Sequence, residues 1–201
     1  MKRILKKTML LSLILATFLL VGCSNIGDIT QNTIIVNKDG SILGVIVEEF
    51  GDSKYVSDEL KAMVEEEVAT YNSGAGEDKI TLQSYEITEE GQAKVVLKYA
   101  SSDDYKEFNE ENTFAGTVSE AYDAGYEFAD MRSVAGDGQV LEKADVLEKG
   151  TMKIAIFQEN VNIRVNGKIV YVSSGVNLVD KKEATSTDAD ESIELFYVIY
   201  E

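Results

Sequence analysis

The feature that most constrains the fold is a succession of short period-two segments, each bounded by a turn signature. Residues 33–36 and 41–50 are rich in β-branched side chains and flank Asn37-Lys38-Asp39-Gly40, a hairpin signal. A second pair, 79–87 and 92–99, flanks Glu89-Glu90-Gly91. In it Ala93, Val95, Leu97 and Tyr99 alternate with Lys94, Val96 and Lys98, which predicts a strand with one wetter face. From Thr151 onward the same grammar continues through 152–158, 160–165, 168–173 and 176–180, with Asn166-Gly167 read as a tight hairpin turn. Residues 181–191 read as a polar loop. Residues 192–200 are apolar on both faces, which predicts a strand covered on two sides.

One segment between the hairpins has helical period instead. Ser57 is a natural cap, Asp58 and Glu59 suit the positive end of a helix, and Leu60, Met63, Val64, Val68 and Tyr71 share a face. Asn72-Ser73-Gly74 ends it, so the helix is predicted over about 57–72, with its stripe in the core. Gly74-Ala75-Gly76 follows a helix, whereas phosphate-binding loops precede one, so it is a stop signal. The first hundred residues thus read ββαββ.

Residues 101–132 are rich in acids, aromatics and glycine, and carry one or two weaker helices within about 102–126, starting at Ser102 with Asp103 and Asp104. Tyr122 and Tyr126 lie one turn apart among Glu120, Asp123, Glu127 and Asp130, which makes this the segment best suited to face a ligand. The competing reading is amphipathic packing by the two tyrosines. Val140-Leu141-Glu142-Lys143 recurs as Val146-Leu147-Glu148-Lys149, an echo too short for a repeat fold, and leans toward strand. The expected fold class is α+β, built mostly from antiparallel hairpins over residues 33–201. The alternative division is into two lobes, 33–100 and 101–201, the second a helical connector plus a β-rich half.

The amino terminus carries a different signal. Lys2, Arg3, Lys6 and Lys7 precede the apolar run 9–21, which is shorter than the roughly 20 residues that span a bilayer core. Leu20-Val21-Gly22-Cys23 follows, and this tetrapeptide resembles the lipobox of bacterial lipoproteins. The resemblance covers only the leader and the lipobox. It implies that residues 1–22 are a cleaved signal peptide and that Cys23 is the lipid attachment site. The Cys23 sulfur would carry diacylglycerol with palmitate-type chains, and the protein would sit on the extracytoplasmic face of the cell membrane. Residues 23–32 would be the lipidated cysteine and a short tether.

Composition narrows the chemistry. Loss of the leader's four cations takes the net charge from −17 to −21, a field that repels polyanions and argues against nucleic acid as a partner. The chain has no His, and Cys23 is its single Cys, so imidazole–serine and imidazole–thiolate catalysis cannot be assembled within it. Imidazole and thiolate sites for zinc or copper are excluded on the same ground. Calcium through Asp103, Asp104 and Glu107, or through Asp188, Asp190 and Glu194, is chemically permissible, but neither set forms a recognised loop. No catalytic residue, metal site or cofactor is therefore assigned. The expectation is a non-catalytic binding or interaction module, with an envelope protein or a small ligand as partner. The alternatives are the substrate-binding component of a transport system and a carboxylate-dependent hydrolase.

Overall fold

A computed structural model describes residues 26–50, 57–128, 130–136, 138–158, 160–186 and 195–201. The hairpin signatures yield β1 (Thr33–Val36) with β2 (Ile42–Glu49), and β3 (Ile80–Ile87) with β4 (Gln92–Tyr99), all antiparallel. Gly40 takes a φ of 85° in the first turn, a conformation that only glycine adopts at no cost. Helix α1 (Ser57–Ala75) lies between the hairpins. After β4 come α2 (Ser102–Asn109), β5 (Thr113–Thr117), α3 (Val118–Asp123), β6 (Met131–Ser133), β7 (Val140–Leu141) and α4 (Lys143–Leu147). The chain closes with β8 (Lys153–Phe157), β9 (Asn162–Val165), β10 (Ile169–Val172), β11 (Val176–Leu178), β12 (Glu183–Ser186) and β13 (Phe196–Tyr200). The fold is α+β with strands dominant.

These strands form two sheets, β11-β12-β9-β1-β2-β4-β3 and β5-β8-β13-β10-β6-β7. The strict alternation of each strand decides which side chains fill the space between them. Ile34, Val36, Ile163 and Val165 from the first sheet meet Phe157, Val198 and Tyr200 from the second in one core. The opposite face of the second sheet carries Ile154, Ile156, Tyr197 and Ile199, covered by Val118 and Ala121 of α3 and Val146 of α4. All five residues of β13 are buried, as expected for a strand apolar on both faces. A bulge between Leu82 and Ser84 shifts the register of β3, so that Ile80, Leu82 and Tyr85 all turn inward.

Several expectations need correction. The halves 33–100 and 101–201 are not separate lobes: β9 pairs in parallel with β1, and β11 and β12 complete the first sheet. Asn166-Gly167 does not close a hairpin, because β9 and β10 belong to different sheets; it carries the chain across the core. A side chain at Gly167 would run into the Glu201 backbone carbonyl, which explains the glycine there. The polar stretch 181–191 contains β12, whose inward residues, Ala184 and Ser186, are too small to leave an apolar pattern. The second copy of the Val-Leu-Glu-Lys echo is not strand: its Val146 and Leu147 end α4, and Glu148 and Lys149 form a turn, while at the start of the helix the Glu142 N–H donates to Asp145 Oδ2 at 3.1 Å.

Helix α1 runs three residues beyond Asn72, to Ala75, and ends on Gly76 at φ 75°. Asn72 is a clamp within the helix, accepting from the Lys79 and Ile80 N–H groups at 3.0 and 2.9 Å and donating to the Ile80 carbonyl at 2.8 Å. The expected wet face of β4 is covered too. Residues Ile26–Asp28 form a 3₁₀ turn, and Ile29 is buried against Ile35, Val45 and Val96. Lys94, also buried, donates to the Gly27 carbonyl at 3.0 Å. The stretch from Ile26, read above as free tether, is thus packed onto the domain. Cys23 and the lipobox lie outside the described residues.

Candidate functional site

The groove between α1 and α2 is built by two independent local choices of sequence. Ser101 caps α2 by accepting from the Asp104 N–H at 3.1 Å, and Asp103 and Asp104 occupy its favourable first turn. That start places Tyr105 and Phe108 inward and Glu107 on the side facing α1. In α1, Val68 is buried, while Met63 stays 47% exposed and Tyr71 is half-buried. The stripe expected to be wholly core therefore runs out of cover at one end, and Met63 contributes to a surface.

The result is a cleft of about 630 Å³ bordered by Met63, Glu66, Glu67, Tyr71, Glu107 and Phe108. Its floor is aromatic: Tyr71 meets Phe108 edge-on at 5.7 Å, and Phe108 meets Tyr99 at 5.9 Å. Tyr71 Oη donates to Glu107 Oε2 at 3.1 Å and to Asp104 Oδ1 at 3.3 Å, which pins α2 to α1. Burial, followed by these two carboxylates, pushes the Tyr71 phenol well above the ordinary tyrosine range, so it remains a donor. Among the described residues, Glu66, Glu67 and Glu107 are in no ion pair. A second cleft, of about 520 Å³, continues past Glu107 along Asp103, Lys106, Glu110 and Glu111. The surface combines apolar contact with an excess of negative charge.

The other residues singled out from sequence have structural roles or lie elsewhere. Tyr126 packs on Phe114 at 5.3 Å, whereas Tyr122 is exposed with Lys143 Nζ 5.3 Å from its ring centre. Glu120 completes the capping box of α3, accepting from the Thr117 N–H at 2.7 Å; that bond holds its carboxyl below the usual range. Asp123, Glu127 and Asp130 are exposed on the surrounding surface. Asp104 and Glu107 share the Tyr71 hydroxyl, and among the described residues no three acids gather as metal ligands. Asp188, Asp190 and Glu194 lie outside the described residues. The acids of α1 escaped notice because three consecutive Glu on a helix read as solvated surface; Met63 beside them was the available clue.

The buried phenols set an alkaline limit. Tyr71, Tyr126, Tyr197 and Tyr200 are all raised, burial being the first cause in each. A raised folded pKa contributes stability that is whole below the unfolded value of about 10 and is lost as pH climbs through the folded values. Absorbance titration is expected to show a tyrosine class that ionises only with unfolding, above about pH 11. Ionisation of all ten tyrosines as one class in a protein still folded would contradict this.

Compared with protein-family profiles, curated proteins and solved structures, the chain matches none.

Proposed function

We propose that this chain is a lipid-tethered, non-catalytic binding module on the extracytoplasmic face of a bacterial cell membrane, and that its α1–α2 groove takes a basic, amphipathic segment of another envelope protein. The observation that carries the reading is the pairing of an aromatic floor with unpaired carboxylate walls. An aromatic face attracts cations as well as apolar groups, and a thioether adapts to varied shapes. A segment presenting Lys or Arg beside apolar residues satisfies both halves of the groove at once. The leader and Leu20-Val21-Gly22-Cys23 support the anchor. Packing of Ile26–Ile29 onto the first sheet leaves two residues, Ser24 and Asn25, between Cys23 and the domain, a reach of roughly 10 Å over three Cα–Cα steps. The module would ride close to the bilayer. A solute-capturing protein of two lobes fits this architecture poorly, since both sheets share one core.

Binding of a fluorescent amphipathic lysine-rich peptide to the membrane-extracted protein tests the groove. With Glu66, Glu67 and Glu107 changed to Gln, affinity is expected to fall about tenfold, and its salt dependence to flatten. Equal affinity in the variant, or equal binding of an acid-rich peptide, would overturn the assignment.

A further inference from the structure

The strap Ile26–Ile29 and the α1–α2 groove lie on opposite faces of the first sheet, as the alternation of its strands decides. Ile35, Val45 and Val96 point to the outer face, where Ile29 covers them, with Ile26, Leu43 and Val47 partly buried around it. Val95, Leu97 and Tyr99 of β4 point to the inner face, where they share a core with Val68 of α1 and Tyr105 of α2. A sheet and the helices packed on it, each layer about 10 Å thick, separate strap from groove by roughly 20 Å.

Two observations give the outer face a direction. The first is the length of chain that ends on it. Ile29 is buried, and buried Lys94 donates to the Gly27 carbonyl at 3.0 Å, so the strap is held at a hydrophobic and at a charged point. Ser24 and Asn25 alone separate it from Cys23. Three Cα–Cα steps reach roughly 10 Å, too little chain to pass around the sheet to the groove side. The second observation is charge. By alternation and register, Lys94, Lys98 and Arg164 on the outer face stand against Glu49, Glu86 and Glu183, so the strands of that face balance. Lys94 Nζ lies 4.0 Å from Glu86, and Arg164 Nη2 lies 2.7 Å from Glu183. Asp28 on the strap adds one acid. The groove side carries the larger excess, in Glu66, Glu67 and Glu107. A bilayer containing anionic lipid repels that side more than the balanced one.

We infer that the outer face of the first sheet rests against the bilayer and that the groove is turned away from it. This inference rests on the anchor at Cys23 proposed above. It also narrows the kind of partner: a basic segment that reaches the protein from the side away from the membrane. A basic amphipathic helix lying in the lipid interface would meet the strap face and miss the groove.

The test uses the full lipoprotein in vesicles of phosphatidylcholine and phosphatidylglycerol, some of whose headgroups carry a nitroxide quencher. The Cys23 sulfur is acylated in this form, so a single introduced thiol takes the fluorophore. Thr81→Cys places it on the outer face, where Thr81 is exposed opposite Lys98, and Met63→Cys places it beside the groove. The Thr81 label is expected to be quenched at least about threefold more than the Met63 label, which stands roughly 20 Å further from the lipid. About ten Gly and Ser residues inserted after Asn25 lengthen the tether, and should bring the two labels within about twofold of each other. Equal quenching, or stronger quenching at Met63, in protein that floats with the vesicles would overturn the inference alone. Protein that does not float with them would contradict the anchor, and the inference with it. A difference untouched by the insert would overturn the role given to the strap.

Discussion

Alanine in place of Phe157 is expected to remove about 3–5 kcal/mol of folding stability. Phe157 is fully buried on β8, between the sheets, with the Phe196 ring 5.7 Å away and register partners on both β5 and β13. Its removal deletes a large apolar volume where neither sheet can move inward without breaking pairings. A domain of this size holds about 5–15 kcal/mol in total, so the variant should sit near the edge of folding. Urea denaturation reads this as a large drop in midpoint at unchanged slope. Its neighbour across the strand, Thr113, supplies the contrast. The Thr113 hydroxyl is buried with no hydrogen-bond partner among the described residues, so Thr113→Val is expected to be neutral or stabilising by about 1 kcal/mol. A mild effect for Phe157→Ala, or a severe one for Thr113→Val, would show that the core is not packed as described.

Replacing Cys23 by alanine has the largest expected effect on location. Acylation requires the thiol, so the variant should take up no labelled fatty acid and should keep its leader. Each buried methylene of an acyl chain contributes about 0.8 kcal/mol, and two chains suffice for a stable anchor. With the leader uncleaved, the apolar run 9–21 is retained in the variant, and among the described residues no helix is long and apolar enough to cross a membrane. Labelling followed by fractionation measures both effects. Normal cleavage and retention in Cys23→Ala would contradict the anchor and leave the groove to be judged by itself.

How far the fold was legible in the chain follows from the range of each interaction. The β1–β2 and β3–β4 hairpins are local, and their turns and alternation lie within about twenty residues of one another. The pairing of β1 with β9 joins residues more than a hundred apart, and no periodicity announces a partner at that distance. Asn166-Gly167 shows the ambiguity at its sharpest. The inward residues of β9 and β10 face one core, as they would in a hairpin, but from opposite sheets. Lys94 failed as a marker of solvent because the segment covering it arrives from Gly27, far up the chain. In the groove, the α2 half was visible as an acidic, aromatic stretch. The α1 half was hidden, because Met63 completes a stripe in which Val64, Val68 and Tyr71 do pack inward.

The anchored state is tested most directly by the intact mass of the polypeptide extracted from the membranes of cells that make it. The expected species begins at Cys23 and carries diacylglycerol on its sulfur. A bare thiol at that position, or a chain that still bears residues 1–22, would contradict it.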